Sequence, residues 1–175
     1  MKTHFARSAY MLMLLCLSHM ASAEICIEHT YTSQIGVREL TNHNDGREVE
    51  MYLHTCGLGR GYAWCAAFVK WCYMQCGIDT RGITAWAASC INWRHIIYRD
   101  QHFAAEPRAG DNITFWDYAH QRVAHTGLYH RRVNDTFYES VEGNTNEGGS
   151  AEGDGVYRKK RSFRATYVIS RWSDN

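Results

Sequence analysis

Residues 64–76 leave few options for the fold of this chain. In Trp64-Cys65-Ala66-Ala67-Phe68-Val69-Lys70-Trp71-Cys72-Tyr73-Met74-Gln75-Cys76 only Lys70 and Gln75 are strongly polar. A helix that is apolar nearly all round belongs at the centre of a molecule, with other elements packed on every side. Gly77 follows as a natural helix terminator, and the glycine-bearing loop Cys56–Gly61 leads in. Cys65 falls in the first turn. Tyr62, Ala63 and Trp64 offer no hydroxyl, carboxylate or amide to cap that turn, so its N–H groups lack a nearby side-chain acceptor. Such groups are free to face a thiolate or the oxyanion of a tetrahedral intermediate.

The elements around this helix divide by position. A short helix is expected near Ser33, with Ile35 and Leu40 inward. Asn42-His43-Asn44-Asp45-Gly46 is a turn in which Asn44 or Asp45 can cap the next helix. Read as a calcium loop, the turn puts Thr41 and Tyr52 where carboxylates are needed, so capping is the better reading. The next helix runs from Arg47 to His54, with Val49, Tyr52 and Leu53 on one stripe, and a further short helix spans Trp86–Trp93. After Pro107 the pattern changes to β-branched and aromatic runs. Asn112–Trp116, Ala124–Val133, Thr136–Glu142, Val156–Arg161 and Ala165–Trp172 read as strands, with Asn134-Asp135 as a hairpin turn. Helices first and strands second give an α+β fold with a C-terminal antiparallel sheet. Asn144–Gly155 is a long glycine-rich loop of the kind that carries function.

The N-terminus reads as an export signal. Lys2 and Arg7 form the positive region, Ala9–Leu17 the apolar run, and Ala21-Ser22-Ala23 the cleavage site. The run is too short for a membrane span, which takes about 20 apolar residues. Removing 23 of the 175 residues leaves 152, one domain over 24–175, with 17 basic against 18 acidic residues. That balance favours neither nucleic acid nor an anionic membrane as partner. Export, periplasmic or extracellular, implies an oxidising compartment. Six cysteines remain: Cys26, Cys56, Cys65, Cys72, Cys76 and Cys90. Cys26–Cys56 and Cys56–Cys90 are open pairings, and a free Cys65 leaves at least one more unpaired. Cys72 and Cys76 read as core packing; with no C-x-x-C beside them, no zinc site is expected.

A cysteine at a helix start is not sufficient for nucleophilic chemistry. A helix N-terminus gives a nearby anion about 0.3–1, at most about 2, kcal/mol. One pKa unit is about 1.4 kcal/mol, whereas the histidine-paired thiolates, near 3–4, need about 6 kcal/mol or more. A second source is required, and an imidazolium is the usual one. His125, in Ala124-His125-Thr126-Gly127, lies on a strand. A histidine base needs an acceptor on its other ring nitrogen. Across the hairpin, Glu142 or Asn144, in Val141-Glu142-Gly143-Asn144, can reach it, with Glu139 further along. The basic run Arg158-Lys159-Lys160-Arg161 reads as an edge strand protected by charge.

Taken together, Trp64-Cys65-Ala66-Ala67-Phe68-Val69 with Trp71, Pro107-Arg108-Ala109-Gly110-Asp111 leading to Phe115-Trp116, His125-Thr126-Gly127, and Glu142-Gly143-Asn144 resemble the CHAP domain, the cysteine- and histidine-dependent amidohydrolase/peptidase family. The resemblance covers about Ser33 to Trp172. It implies a papain-like fold, with the nucleophile helix packed on the antiparallel sheet, that cleaves amide bonds in peptidoglycan without cofactor or metal. Cys65 would be the nucleophile, His125 the base and Glu142 its orienting group, with Asn144 a further polar member. Ala124 stands where many relatives have glycine. A catalytically idle wall-binding module and a protein-directed cysteine protease are the alternative readings. A protein partner or inhibitor is left open.

Overall fold

A computed structural model describes residues 23–148 and 153–173. The expected export signal, all but Ala23, and the tip of the Asn144–Gly155 loop lie outside them. The fold is α+β. Three helices, α1 (23–33), α2 (Arg47–His54) and α3 (Cys65–Gln75), precede a seven-stranded antiparallel sheet. Its strands are β1 (Ile96–Arg99), β2 (His102–Phe103), β3 (Asn112–Asp117), β4 (Arg122–Arg132), β5 (Phe137–Thr145), β6 (Gly155–Ser162) and β7 (Val168–Ser170), in the order β2-β1-β7-β3-β4-β5-β6. No helix among the described residues is long and apolar enough to cross a membrane.

Helix α3 is central, as its composition demands. Cys65, Ala66, Ala67, Phe68, Val69, Cys72 and Tyr73 are all buried. On one side it meets α2, whose Val49, Tyr52 and Leu53 are fully buried; on the other it meets β4 and β5 through Leu128 and Val141. Contact with the sheet is close because Gly143 has no side chain. A Cβ there would lie 2.7 Å from the Trp64 ring and 2.8 Å from Phe68. Past the helix, Gly77 takes φ 67°, the left-handed conformation of a terminating residue.

Several expected elements differ. The first helix ends at Ser33 instead of starting there. Its buried stripe is Ile27 and Tyr31, while Ile35 and Leu40 are exposed. A disulfide, Cys26–Cys76, ties it to the end of α3, which is neither of the pairings left open from sequence and takes Cys76 out of simple core packing. Cys56, Cys65, Cys72 and Cys90 are free. Neither Asn44 nor Asp45 caps α2: Gly46 holds the cap position, and Asp45 instead binds the Thr41 N–H and hydroxyl at 2.9 and 2.7 Å. The helix expected over Trp86–Trp93 contracts to a 3-10 turn at Ala87–Cys90. Likewise, the strand expected over Ala165–Trp172 contracts to β7, preceded by a 3-10 turn at Phe163–Ala165. Strands β1 and β2 were not anticipated.

Candidate functional site

The site is assembled where α3 starts and β4 and β5 pass it. Cys65 is the first residue of α3 and is 4% exposed. Trp64, immediately before it, is fixed. Its ring is fully buried, and its Nε1–H donates to Glu39 Oε1 at 2.8 Å. The other Glu39 oxygen accepts from the Asn44 N–H at 2.8 Å, tying the 41–46 turn to the same point. No side chain caps α3.

His125 reaches the cysteine from β4. The β3–β4 ladder pairs Phe115 with His125 and then Trp116 with Val123, so Ala124 is an extra residue beside the histidine. A bulge of this kind bends the strand and re-aims the neighbouring side chain. The imidazole stands between two neighbours. Nε2 meets Glu142 Oε2 at 2.8 Å, and Cys65 is near enough to the ring to raise its pKa, with Nδ1 the nitrogen left over. Because an ionised carboxylate can only accept, Nε2 carries a proton, and Nδ1 is the nitrogen not held by the carboxylate.

Glu142 follows from register. Leu128 opposite Val141, and Tyr129 opposite Ser140, put Gly127 beside Glu142. A Cβ at Gly127 would lie 2.5 Å from the Glu142 Cγ, so only glycine leaves room for the carboxylate. Glu142 is fully buried and saturated with donors. Ser140 donates to Oε1 at 2.6 Å, and Arg161 on β6 donates from Nε to Oε1 at 2.8 Å and from Nη2 to Oε2 at 2.5 Å. The Arg161 guanidinium lies 4.7 Å from the centre of the Phe115 ring, whose plane stacks on His125 at 5.9 Å.

The electrostatics follow from these contacts. Burial alone would depress the His125 pKa, but the hydrogen bonds to Cys65 and Glu142 outweigh it and push the group up to about 10. Burial alone would raise Glu142; the Arg161 and His125 bonds outweigh it and hold the carboxyl far below the usual range. At neutral pH the site therefore contains a buried carboxylate and an imidazolium, with 22% of the His125 side chain exposed. This is the second source of stabilisation that a thiolate at a helix start requires.

The structure brings Cys65, His125 and Glu142 together. Asn144 sits apart from the imidazole. With φ 53°, and with its amide oriented to suit its neighbours, it accepts from the Trp64 N–H at 3.1 Å and donates to the Gly153 carbonyl at 3.2 Å and Asn44 Oδ1 at 3.3 Å. It thus fixes the backbone just before Cys65, and the choice for the His125 partner falls on Glu142. Two site residues were missed from sequence, Arg161 and Ser140. Strand periodicity could have found them: Tyr138, Ser140 and Glu142 share a face, and the β5–β6 register sets Arg161 opposite Tyr138 on that face. Among the described residues no group of three His, Cys, Asp or Glu side chains is arranged to hold a metal.

Comparison of this chain with protein-family models, curated proteins and solved structures gave no match.

Proposed function

We propose that the chain is an exported cysteine peptidoglycan hydrolase of the CHAP type, papain-like in fold. It would cut an amide bond of the wall stem peptide or its cross-bridge. The observation that carries this reading is the imidazole set beside a cysteine at a helix start, which raises its pKa, and bonded on its other side to a buried carboxylate. A core cysteine or a satisfied core histidine needs no such relay. Catalysis begins when the Cys65 thiolate attacks the carbonyl carbon, while the free N–H groups of the α3 first turn face the developing oxyanion. The His125 imidazolium gives its Nδ1 proton to the leaving amine, the C–N bond breaks, and a thioester remains. Neutral His125 then takes a proton from water, which attacks the thioester and restores the thiolate and imidazolium. Glu142 keeps the ring in place and favours its charged form throughout.

Export rests on the N-terminal signal, and the Cys26–Cys76 disulfide fits an oxidising compartment. The test is mass spectrometry of fragments released from purified cell wall. Wild type should release soluble muropeptides, and Cys65→Ala should release none while keeping its circular dichroism. Release by the variant would contradict the proposal, and cleavage of protein substrates with the wall untouched would favour the protease alternative.

A further inference from the structure

Phe115 touches two of the charged groups of the site and hydrogen-bonds neither. It is the cross-strand partner of His125 in the β3–β4 ladder, and the irregularity of that ladder falls after the pair, between Phe115 and Trp116. Directly opposed residues hold their Cβ atoms about 4.5–5.5 Å apart, close enough for their rings to meet. The Phe115 ring lies 5.9 Å from the imidazole, centre to centre, with the planes 24° apart. That is the range of an offset aromatic stack. The Arg161 guanidinium lies against the same ring, 4.7 Å from its centre. His125 and Arg161 are joined a second time through Glu142, which both bond. The four side chains thus close a circuit, three linked by charge and the fourth by its π face.

Packing alone does not call for an aromatic residue here. Phe115 is half-buried and rests on the margin of the cluster that holds Ile113 and Ile169. An aliphatic side chain would cover that margin equally well. What it would lack is a face of negative potential, which attracts a cation set against it. Two cations meet this ring, the Arg161 guanidinium and the His125 imidazolium. The stack also restricts rotation of the imidazole, so Nε2 stays on Glu142 and Nδ1 stays turned from it. The titratable and charged groups set around His125 are Cys65 on α3, Glu142 on β5 and Arg161 on β6. Phe115, on β3, acts through the last two and through the imidazole itself.

We propose that Phe115 is a positioning residue for His125, whose ring face holds the imidazole in its bond to Glu142 and stabilises the imidazolium. The inference rests on the reading of His125 as the base of a cysteine hydrolase and deepens it.

The test places 4-fluoro- and 3,4,5-trifluorophenylalanine at position 115 of the full chain, with Phe115→Leu, Phe115→Met and Phe115→Tyr beside them. Fluorine draws charge from the π face and leaves the ring's shape nearly unchanged, so a merely structural role would not respond to it. The fluorinated rings also keep the test open should an aliphatic residue impair folding. NMR titration of ¹³C-labelled His125 is the first readout. Its pKa, about 10 in the wild type, should fall with each step of fluorination, by about half a pH unit for the trifluoro ring. It should fall further in Phe115→Leu and Phe115→Met and hold in Phe115→Tyr. Muropeptide release from purified wall is the second readout. The maximal rate should drop about tenfold in Phe115→Leu at an unchanged half-saturating wall concentration, and recover in Phe115→Tyr. A His125 pKa indifferent to fluorination would overturn the proposal. So would a changed half-saturating concentration at an unchanged maximal rate, which would make Phe115 a substrate contact instead. A fluorine-dependent pKa with no muropeptide release by the wild type would uphold the positioning role and overturn the hydrolase.

Discussion

Among the described residues, two carboxylate–guanidinium pairs beside the sheet have nearly identical geometry and different settings. Asp111 and Arg171 are 3% and 5% exposed and bond in parallel, Nε to Oδ1 and Nη2 to Oδ2, both at 2.8 Å. Bonds to the main chain add to the pair, from the Arg108 N–H to Asp111 and from Arg171 to the Glu106 carbonyl. Glu142 and Arg161 make the same fork, but a third partner, His125, shares the carboxylate, and the guanidinium is partly exposed. The first pair fastens the loop before β3 to the C-terminal segment. The second couples a fixed charge to an imidazole beside Cys65. A buried ion pair is therefore not itself a sign of function; what supports the proposed one is a titratable third partner beside a cysteine at a helix start.

Substitutions should separate the two pairs. The largest effect is expected at Glu142→Gln, which keeps shape and removes charge. Wall hydrolysis should fall about 10²–10⁴-fold, read by muropeptide release, and the residual activity should show a lowered His125 pKa. Asp111→Ala strands a buried guanidinium and should cost about 3–5 kcal/mol of stability in urea denaturation, with the folded enzyme still active. If Asp111→Ala abolished activity in folded protein, or Glu142→Gln left it intact, the distinction would fail. Arg161→Gln removes one of the carboxylate's supports where solvent can partly replace it. A loss of about 1–3 kcal/mol is expected, along with a His125 pKa shifted from that of wild type. The smallest effect is expected at Gly127→Ala, whose Cβ pushes on the Glu142 side chain. It should slow hydrolysis about tenfold, ~1.4 kcal/mol, with the disulfide and α3 unchanged.

Linkage gives the pH dependence of stability. His125 has a folded pKa raised from 6.5 to about 10, so its contribution is complete below pH 6.5 and is lost as pH rises towards 10. Glu142 is depressed below its ordinary 4.5, so its contribution is present above that value and is lost as pH falls below it. Denaturation midpoints should drop at both extremes, and Glu142→Gln should flatten the acid limb.

Most of the fold was legible because its elements are strongly patterned. Helix α2 has the expected bounds, since Val49, Tyr52 and Leu53 form a single stripe. Helix α3 follows from its all-round apolar character. What sequence did not reveal depends on long-range contacts. Strands β1 and β2 have four and two residues, too short for a period-2 signal, and exist because β7 and β1 give them partners. Disulfide pairing depends on where α1 docks. In the site, Cys65, His125 and Glu142 were readable from their order and the hairpin. Arg161 was hidden in a basic run on an edge strand, where solvated charge is the ordinary expectation. Only the register across β5 shows that Lys159 and Arg161 share the face of Ser140 and Tyr138, where Arg161 reaches Glu142.

The central claim is that Cys65, His125 and Glu142 act as one proton-coupled unit. It is tested most directly by NMR titration of ¹³C-labelled His125 in the wild type, Glu142→Gln and Cys65→Ala. The account predicts a wild-type pKa near 10 that falls in each variant. A wild-type value near 6.5 that neither substitution moves would contradict it.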